Sequence, residues 1–187
     1  MISKNKILGV MDEPEETGSM ETFQTATHEI RFEDVDFSYV PREPVLKHAS
    51  FTVLDQKLTA IVGDSGSGKS TILNLIAKYY EAGGGTISIG GKPIDHVAAE
   101  RVLEQISMVD QDVFLFDDTI RENIRHARPD ATDTEIEAAC REANCDGFIR
   151  KMEKGYDTPT GENGNLLSGG ERQRISIARA ILKNSPI

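Results

Sequence analysis

The chain has 187 residues, 38% hydrophobic and 28% charged, which suits one domain with its own apolar core. Its net charge of -10 excludes a bulk basic surface for nucleic acid. No apolar run approaches the roughly 18 residues that span a bilayer, and Ile7–Met11 is too short for the core of a secretion signal. Cys140 and Cys145 lack C-x-x-C spacing and His28, His48, His96 and His126 are scattered, so reduced thiols are expected and a metal cluster is not.

Residues 1–28 read as a linker, because Asp12–Ser19 is acidic and punctuated by Pro14 and Gly18. Ile30, Phe32, Val35, Phe37 and Tyr39 then alternate with polar residues, with one slip in the period, which predicts a bulged strand or strand pair. Val45–Val53 predicts a second strand beyond Pro41 and Pro44. Leu58–Val62 is almost wholly apolar, as expected of a central parallel strand buried on both faces.

The most informative stretch follows: Gly63-Asp64-Ser65-Gly66-Ser67-Gly68-Lys69-Ser70-Thr71. It stands between that apolar run and a helix expected from Ser70 to about Tyr79, and it fits the phosphate-loop pattern G-x-x-x-x-G-K-[ST]. Glycines let the backbone curl so that successive N–H groups point inward at an anion, and the helix N-terminus adds partial positive charge. Lys69 is placed to reach the β- and γ-phosphates of a nucleotide, and the Ser70 hydroxyl to ligate Mg²⁺.

Gly83–Gly85 turns the chain into a short strand at Thr86–Ile89, and Ile106–Val109 predicts another. The middle is helical: Thr119-x-x-Glu122 and Thr132-x-x-Glu135 fit the capping box, and Pro129 separates the two helices. Leu167-Ser168-Gly169-Gly170-Glu171 opens a last helix, with Ser168 as cap, Glu171 at its third position and two glycines leaving the backbone bare where a phosphate could sit.

Together these motifs resemble the nucleotide-binding domain of ABC transporters. Leu167–Glu171 is similar to that family's LSGGQ signature, Val109–Phe116 to its Q-loop, Asp36–Tyr39 to its A-loop. Thr119–Ile124 and Gly161-Glu162-Asn163-Gly164 resemble segments of the exporter branch. The resemblance runs from Glu29 to Ile187 and implies an α/β fold: a P-loop NTPase (RecA-like) core, an N-terminal antiparallel β subdomain and an inserted helical subdomain. By that resemblance Tyr39 stacks on adenine. Gly63, Asp64, Ser65, Gly66, Ser67, Gly68, Lys69, Ser70 and Thr71 hold ATP and Mg²⁺, and Gln111 approaches the metal and the attacking water. Lys69 and Gln111 are the expected catalytic residues, and Ser70 and Gln111 the metal-side residues. Ser168, Gly169 and Gly170 contact the ATP of a second nucleotide-binding domain, identical or not, in a head-to-tail dimer. The family also implies a transmembrane partner domain and a place on the cytoplasmic face of the plasma (inner) membrane.

Three residues depart from the family pattern: Glu171 for Gln, Asp110 where Pro is frequent, and Asn163 for the Arg of the exporter loop. The resemblance divides residues 29–187 into a β subdomain and P-loop core at 29–110, a helical subdomain at 111–166 and a signature helix at 167–187. It implies that Walker B, the catalytic Glu and the switch His lie beyond Ile187, so the chain alone is expected to bind ATP, hydrolyse it poorly and expose the flank of Leu58–Val62. Residues 3–16 resemble the connection from an exporter's last transmembrane helix. Two other function classes compare with this reading. A soluble ABC ATPase of DNA repair or translation is disfavoured by Thr119–Ile124, Gly161–Gly164 and the acidic balance. A non-catalytic ATP-binding module is favoured by the absence of Asp or Glu after Glu171.

Overall fold

Ile30, Phe32, Val35 and Phe37 are all buried although the step from Phe32 to Val35 breaks the two-residue period. The reason is a bulge. In the computed structural model, which describes residues 18–187, strand β1 (Ile30–Phe37) pairs Phe32 with Phe51 but Val35 with Ala49 on β2 (Leu46–Val53). One extra residue is absorbed at Asp34, where φ is 54° and the Ser50 hydroxyl accepts the Asp34 N–H at 2.9 Å. Val35 thereby returns to the buried face. Opposite the bulge, Gly85 has φ 76° and an added Cβ would lie 2.3 Å from Asp34 O.

Two further strands, β3 (Gly84–Ile89) and the short β4 (Lys92–Pro93), complete an antiparallel sheet in the order β2-β1-β3-β4. Its unit spans residues up to Glu104 and includes helices α1 (Lys69–Ile76) and α2 (Ala99–Leu103). Helix α1 ends in a Schellman turn: Lys78 at φ 56°, its N–H on Leu75 O, and Tyr79 N–H on Asn74 O at 2.9 Å. The buried Lys78 ammonium locks this turn by donating to Asp95 O at 3.1 Å and to Val97 O.

A second unit, Gln105–Ile187, is helical: α3 (Ile120–Arg125), α4 (Asp133–Glu142), α5 (Asp146–Ile149) and α6 (Gly169–Lys183). Its core gathers Leu115, Ile120, Ile124, Ile136, Ile149 and Ile175, all fully buried. Each fully buried aliphatic side chain stabilises by about 1.5–3 kcal/mol. Thr132 and Glu135 form a complete capping box. Thr119 accepts the Glu122 N–H at 3.2 Å, but the Glu122 carboxylate turns to Arg125 Nε at 3.2 Å, so that box is half made. Helix α4 ends in a second Schellman turn, with Asn144 at φ 56° and Cys145 N–H on Cys140 O at 2.8 Å. This turn brings its third-last and following residues together in an apolar contact, which explains why two buried, free cysteines stand five apart.

Two sequence expectations are corrected. Leu58–Val62 forms no strand, with Leu58 101% and Val62 87% exposed. A strand is held by ladder bonds to neighbours, and among the described residues none pairs with this segment. Ile106–Val109 is likewise not a strand; Ser107 N–H donates to Ile187 O at 2.7 Å and Ile187 N–H to Gln105 O at 3.0 Å. The linker expected at residues 1–28 lies largely outside the described residues.

Candidate nucleotide site

Glycine-loop geometry follows from three residues. Gly66 and Gly68 have φ 81° and 88°, the left-handed region that glycine enters without strain. Gly68 is the N-cap of α1, and a Cβ there would lie 3.0 Å from Leu46 Cδ2. Lys69 folds back over the loop, its ammonium donating to Gly63 O at 3.0 Å, Asp64 O at 2.6 Å and Ser67 Oγ at 3.4 Å. Helix α1 carries no side-chain cap and no acidic residue in its first turn, whereas Thr119, Thr132 and Ser168 cap α3, α4 and α6. The leading N–H groups of an α-helix have no intrahelical partner. The donor set at α1 therefore suits a phosphate, and the exposed Ser70 hydroxyl beside it suits a metal oxygen shell.

Tyr39 stands against this helix. Its hydroxyl donates to Thr71 Oγ1 at 3.1 Å and accepts from Asn74 Nδ2 at 3.4 Å. Its ring is edge-on to Phe37 (centroids 4.8 Å, 89°) and to Tyr80 (5.0 Å, 87°), yet 46% of the residue is exposed. The expected base platform and phosphate loop thus share one unit. Asn74 and Tyr80 had no sequence signal beyond their proximity to the glycine loop.

Gln111 and Ser168–Gly170 belong to the second unit. Gln111 lines an open cleft of about 670 Å³ with Phe114, Asn163, Gly169, Arg172 and Gln173. Gln173 Nε2 reaches Asp110 O at 3.4 Å, and Arg172 Nη1 donates to Leu167 O at 2.8 Å, joining the Q-loop-like and signature-like segments to α6. Asn163 adopts φ 51°, a left-handed conformation that asparagine tolerates better than arginine. Ser168 and Glu171 form a full capping box: the Ser168 hydroxyl and N–H both donate to Glu171 Oε2, at 2.7 and 2.8 Å. These two donors, the hydroxyl first, hold the Glu171 carboxyl below the ordinary glutamate range. The Ser168 hydroxyl proton is therefore engaged within the helix end itself.

The second unit also holds a buried polar network that sequence reasoning missed. Asn123 is fully buried among Ile120 and Ile124. Its amide donates to Phe116 O and Thr119 O, both at 3.0 Å, and accepts from Phe116 N–H at 2.9 Å and Arg179 Nη2 at 2.5 Å. Burial lowers the Arg179 pKa from its usual value. Its signals were a polar residue in an apolar helical stripe and a place within the exporter-like Thr119–Ile124 segment.

With this geometry in view, comparison with known proteins decides the family. The ABC transporter profile matches residues 46–187. The chain belongs to the ABC transporter family. An ATP-binding cassette sub-family B member 6 from Xenopus tropicalis is 49% identical over 82% of this chain and 18% of its own length. The mitochondrial iron-sulfur clusters transporter ATM1 of Yarrowia lipolytica is 42% identical over 100% of this chain and 26% of its own. An ATP-dependent lipid A-core flippase of Vibrio parahaemolyticus is 42% identical, over 100% and 33%. A bacterial Atm1-family ABC exporter solved with ATP bound superposes with TM-score 0.92 and 37% identity, covering 100% of this chain and 33% of that one. The chain thus spans a third or less of the length of these relatives. The fold is that of a P-loop ABC ATPase, a family that hydrolyses ATP, with an antiparallel sheet and a helical unit. Among the described residues no helix is long and apolar enough to cross a membrane.

Proposed function

We propose that this chain is the ATP-binding domain of an ABC exporter, in which ATP binding closes a domain dimer and hydrolysis reopens it. The observation that carries the proposal is the uncapped N-terminus of α1, opened by left-handed Gly68, with Lys69 over the loop and Tyr39 beside it. The exposed Tyr39 face takes adenine. Backbone donors from Gly63 to Thr71 take the phosphates, and Lys69 exchanges its loop carbonyls for phosphate oxygens. Ser70 would hold Mg²⁺, which would neutralise charge on the phosphates when bound; Gln111 is proposed for the metal side on its likeness to the family's Q-loop glutamine. Ser168, Gly169 and Gly170, exposed at the start of α6, meet the nucleotide of a second such domain arranged head to tail.

Residues 111–166 form the part of this domain that meets a transmembrane partner, on the cytoplasmic face of a membrane. The exporters named above support this, because their chains extend well beyond the region matched here. We also propose that the 187 residues by themselves bind ATP without steady turnover, since no Asp or Glu follows Glu171 to polarise a water.

The test is titration of the full chain with a fluorescent ATP analogue and Mg²⁺. Saturable binding lost in Lys69→Ala is expected, with no sustained phosphate release. Binding indifferent to Lys69→Ala refutes the phosphate-loop role, and Lys69-dependent turnover refutes the non-catalytic part.

A further inference from the structure

We propose that Tyr80 is a positioning residue for the nucleotide base: it sets the plane of the Tyr39 ring and so the affinity for the adenine part of ATP. This rests on the reading that Tyr39 stacks on the base. Tyr39 has two anchors at its hydroxyl, Thr71 and Asn74. The phenolic oxygen lies on the axis about which the ring spins, so bonds to it fix the ring's reach and leave its plane free. That ring–aliphatic torsion is intrinsically broad. With the residue only half-buried, the ring therefore takes its plane from neighbouring rings.

There are two such neighbours. Phe37 is buried in the sheet and meets Tyr39 at 89°, and Tyr80 meets it at 87° with centroids 5.0 Å apart. Tyr80 also leans on Phe37, at 5.7 Å and 60°. Edge-to-face geometry is the preferred arrangement of aromatic pairs, because the positive ring edge meets the negative face. Tyr80 owes its place to the Schellman turn at Lys78, which reverses the chain after α1. The Lys78 ammonium, held by Asp95 O and Val97 O, fixes that turn. The helix that opens on the phosphates thus also delivers, at its far end, the ring that orients the base platform.

The test measures binding of two probes to the full chain by calorimetry: ATP, which has a base, and inorganic tripolyphosphate, which has none. Tyr80→Leu is expected to weaken ATP about two- to tenfold, the range of an aromatic pair, with tripolyphosphate unchanged. Tyr80→Phe, which keeps the ring, is expected to match the wild type. In a Tyr39→Leu background, Tyr80→Leu is expected to add nothing. Because Tyr80 is 47% exposed, these variants leave little cavity; Tyr80→Met, likewise without a ring, is expected to show the same loss as Tyr80→Leu. Equal loss of both probes, or a Tyr80 effect that persists without the Tyr39 ring, overturns the inference. A silent Tyr80→Leu alongside an impaired Tyr39→Leu overturns it alone. A silent Tyr39→Leu overturns the base-stacking reading and this inference with it.

Discussion

Replacing Asn123 by alanine removes a fully buried amide whose partners have unequal alternatives, and that inequality sets the magnitude. Phe116 O keeps the Thr160 hydroxyl at 2.8 Å, and Thr119 O keeps the Asn123 backbone N–H at 3.0 Å, so neither carbonyl is stranded. The Phe116 N–H and Arg179 Nη2 lose the acceptor they share. A buried donor left unmade costs about 1–3 kcal/mol; these two are only partly buried, so water recovers part of the loss and the expected total is about 1–3 kcal/mol. Thr160→Val is the control. It removes a fully buried hydroxyl, yet Phe116 O retains the Asn123 amide and Asp118 O retains the Thr160 N–H at 2.8 Å. It strands no donor and should cost about 1 kcal/mol or less. Urea unfolding followed by far-ultraviolet circular dichroism at 222 nm checks both, since the chain has no tryptophan. If Asn123→Ala loses no more stability than Thr160→Val at equal slope, the assignment of stranded donors is wrong.

The Glu171 carboxyl is held low in the folded chain, so its stabilisation is complete above the ordinary value of 4.5 and fades as pH falls through the lower folded value. Acid unfolding of Glu171→Gln, which keeps the capping geometry, should be less steep below about pH 4.5; an unchanged profile refutes the charged cap. Gly85→Ala should lower stability by about 2 kcal/mol or more in thermal unfolding, because a positive φ adds strain and Asp34 O stands in the way of the new Cβ. Asn144→Ala should cost about 1 kcal/mol at the left-handed end of α4 and Asn144→Gly should cost nothing, a ranking read from paired melting curves.

Much of the nucleotide site was legible because its chemistry is local in sequence. The nine residues from Gly63 to Thr71 carry their own turn, lysine and helix start, and Ser168 with Glu171 carries its own cap. Tyr39 was legible only by family resemblance, since the contacts that place it reach 32 and 35 residues along the chain. Leu58–Val62 was misread for the complementary reason: apolar composition states that a segment favours burial, but a strand exists only where a neighbour completes its ladder.

The amino-acid order by itself determined the phosphate loop, the helix caps, the slipped alternation of β1 and the family to which they belong. Those features depend on torsion preferences and hydrogen bonds within a few residues. Tertiary structure alone decided that Tyr80 flanks Tyr39, that Asn123 and Arg179 share one network, and that the Leu58–Val62 segment forms no strand. Each of these depends on which distant groups the fold brings within bonding range, and residue type along the chain does not encode that distance.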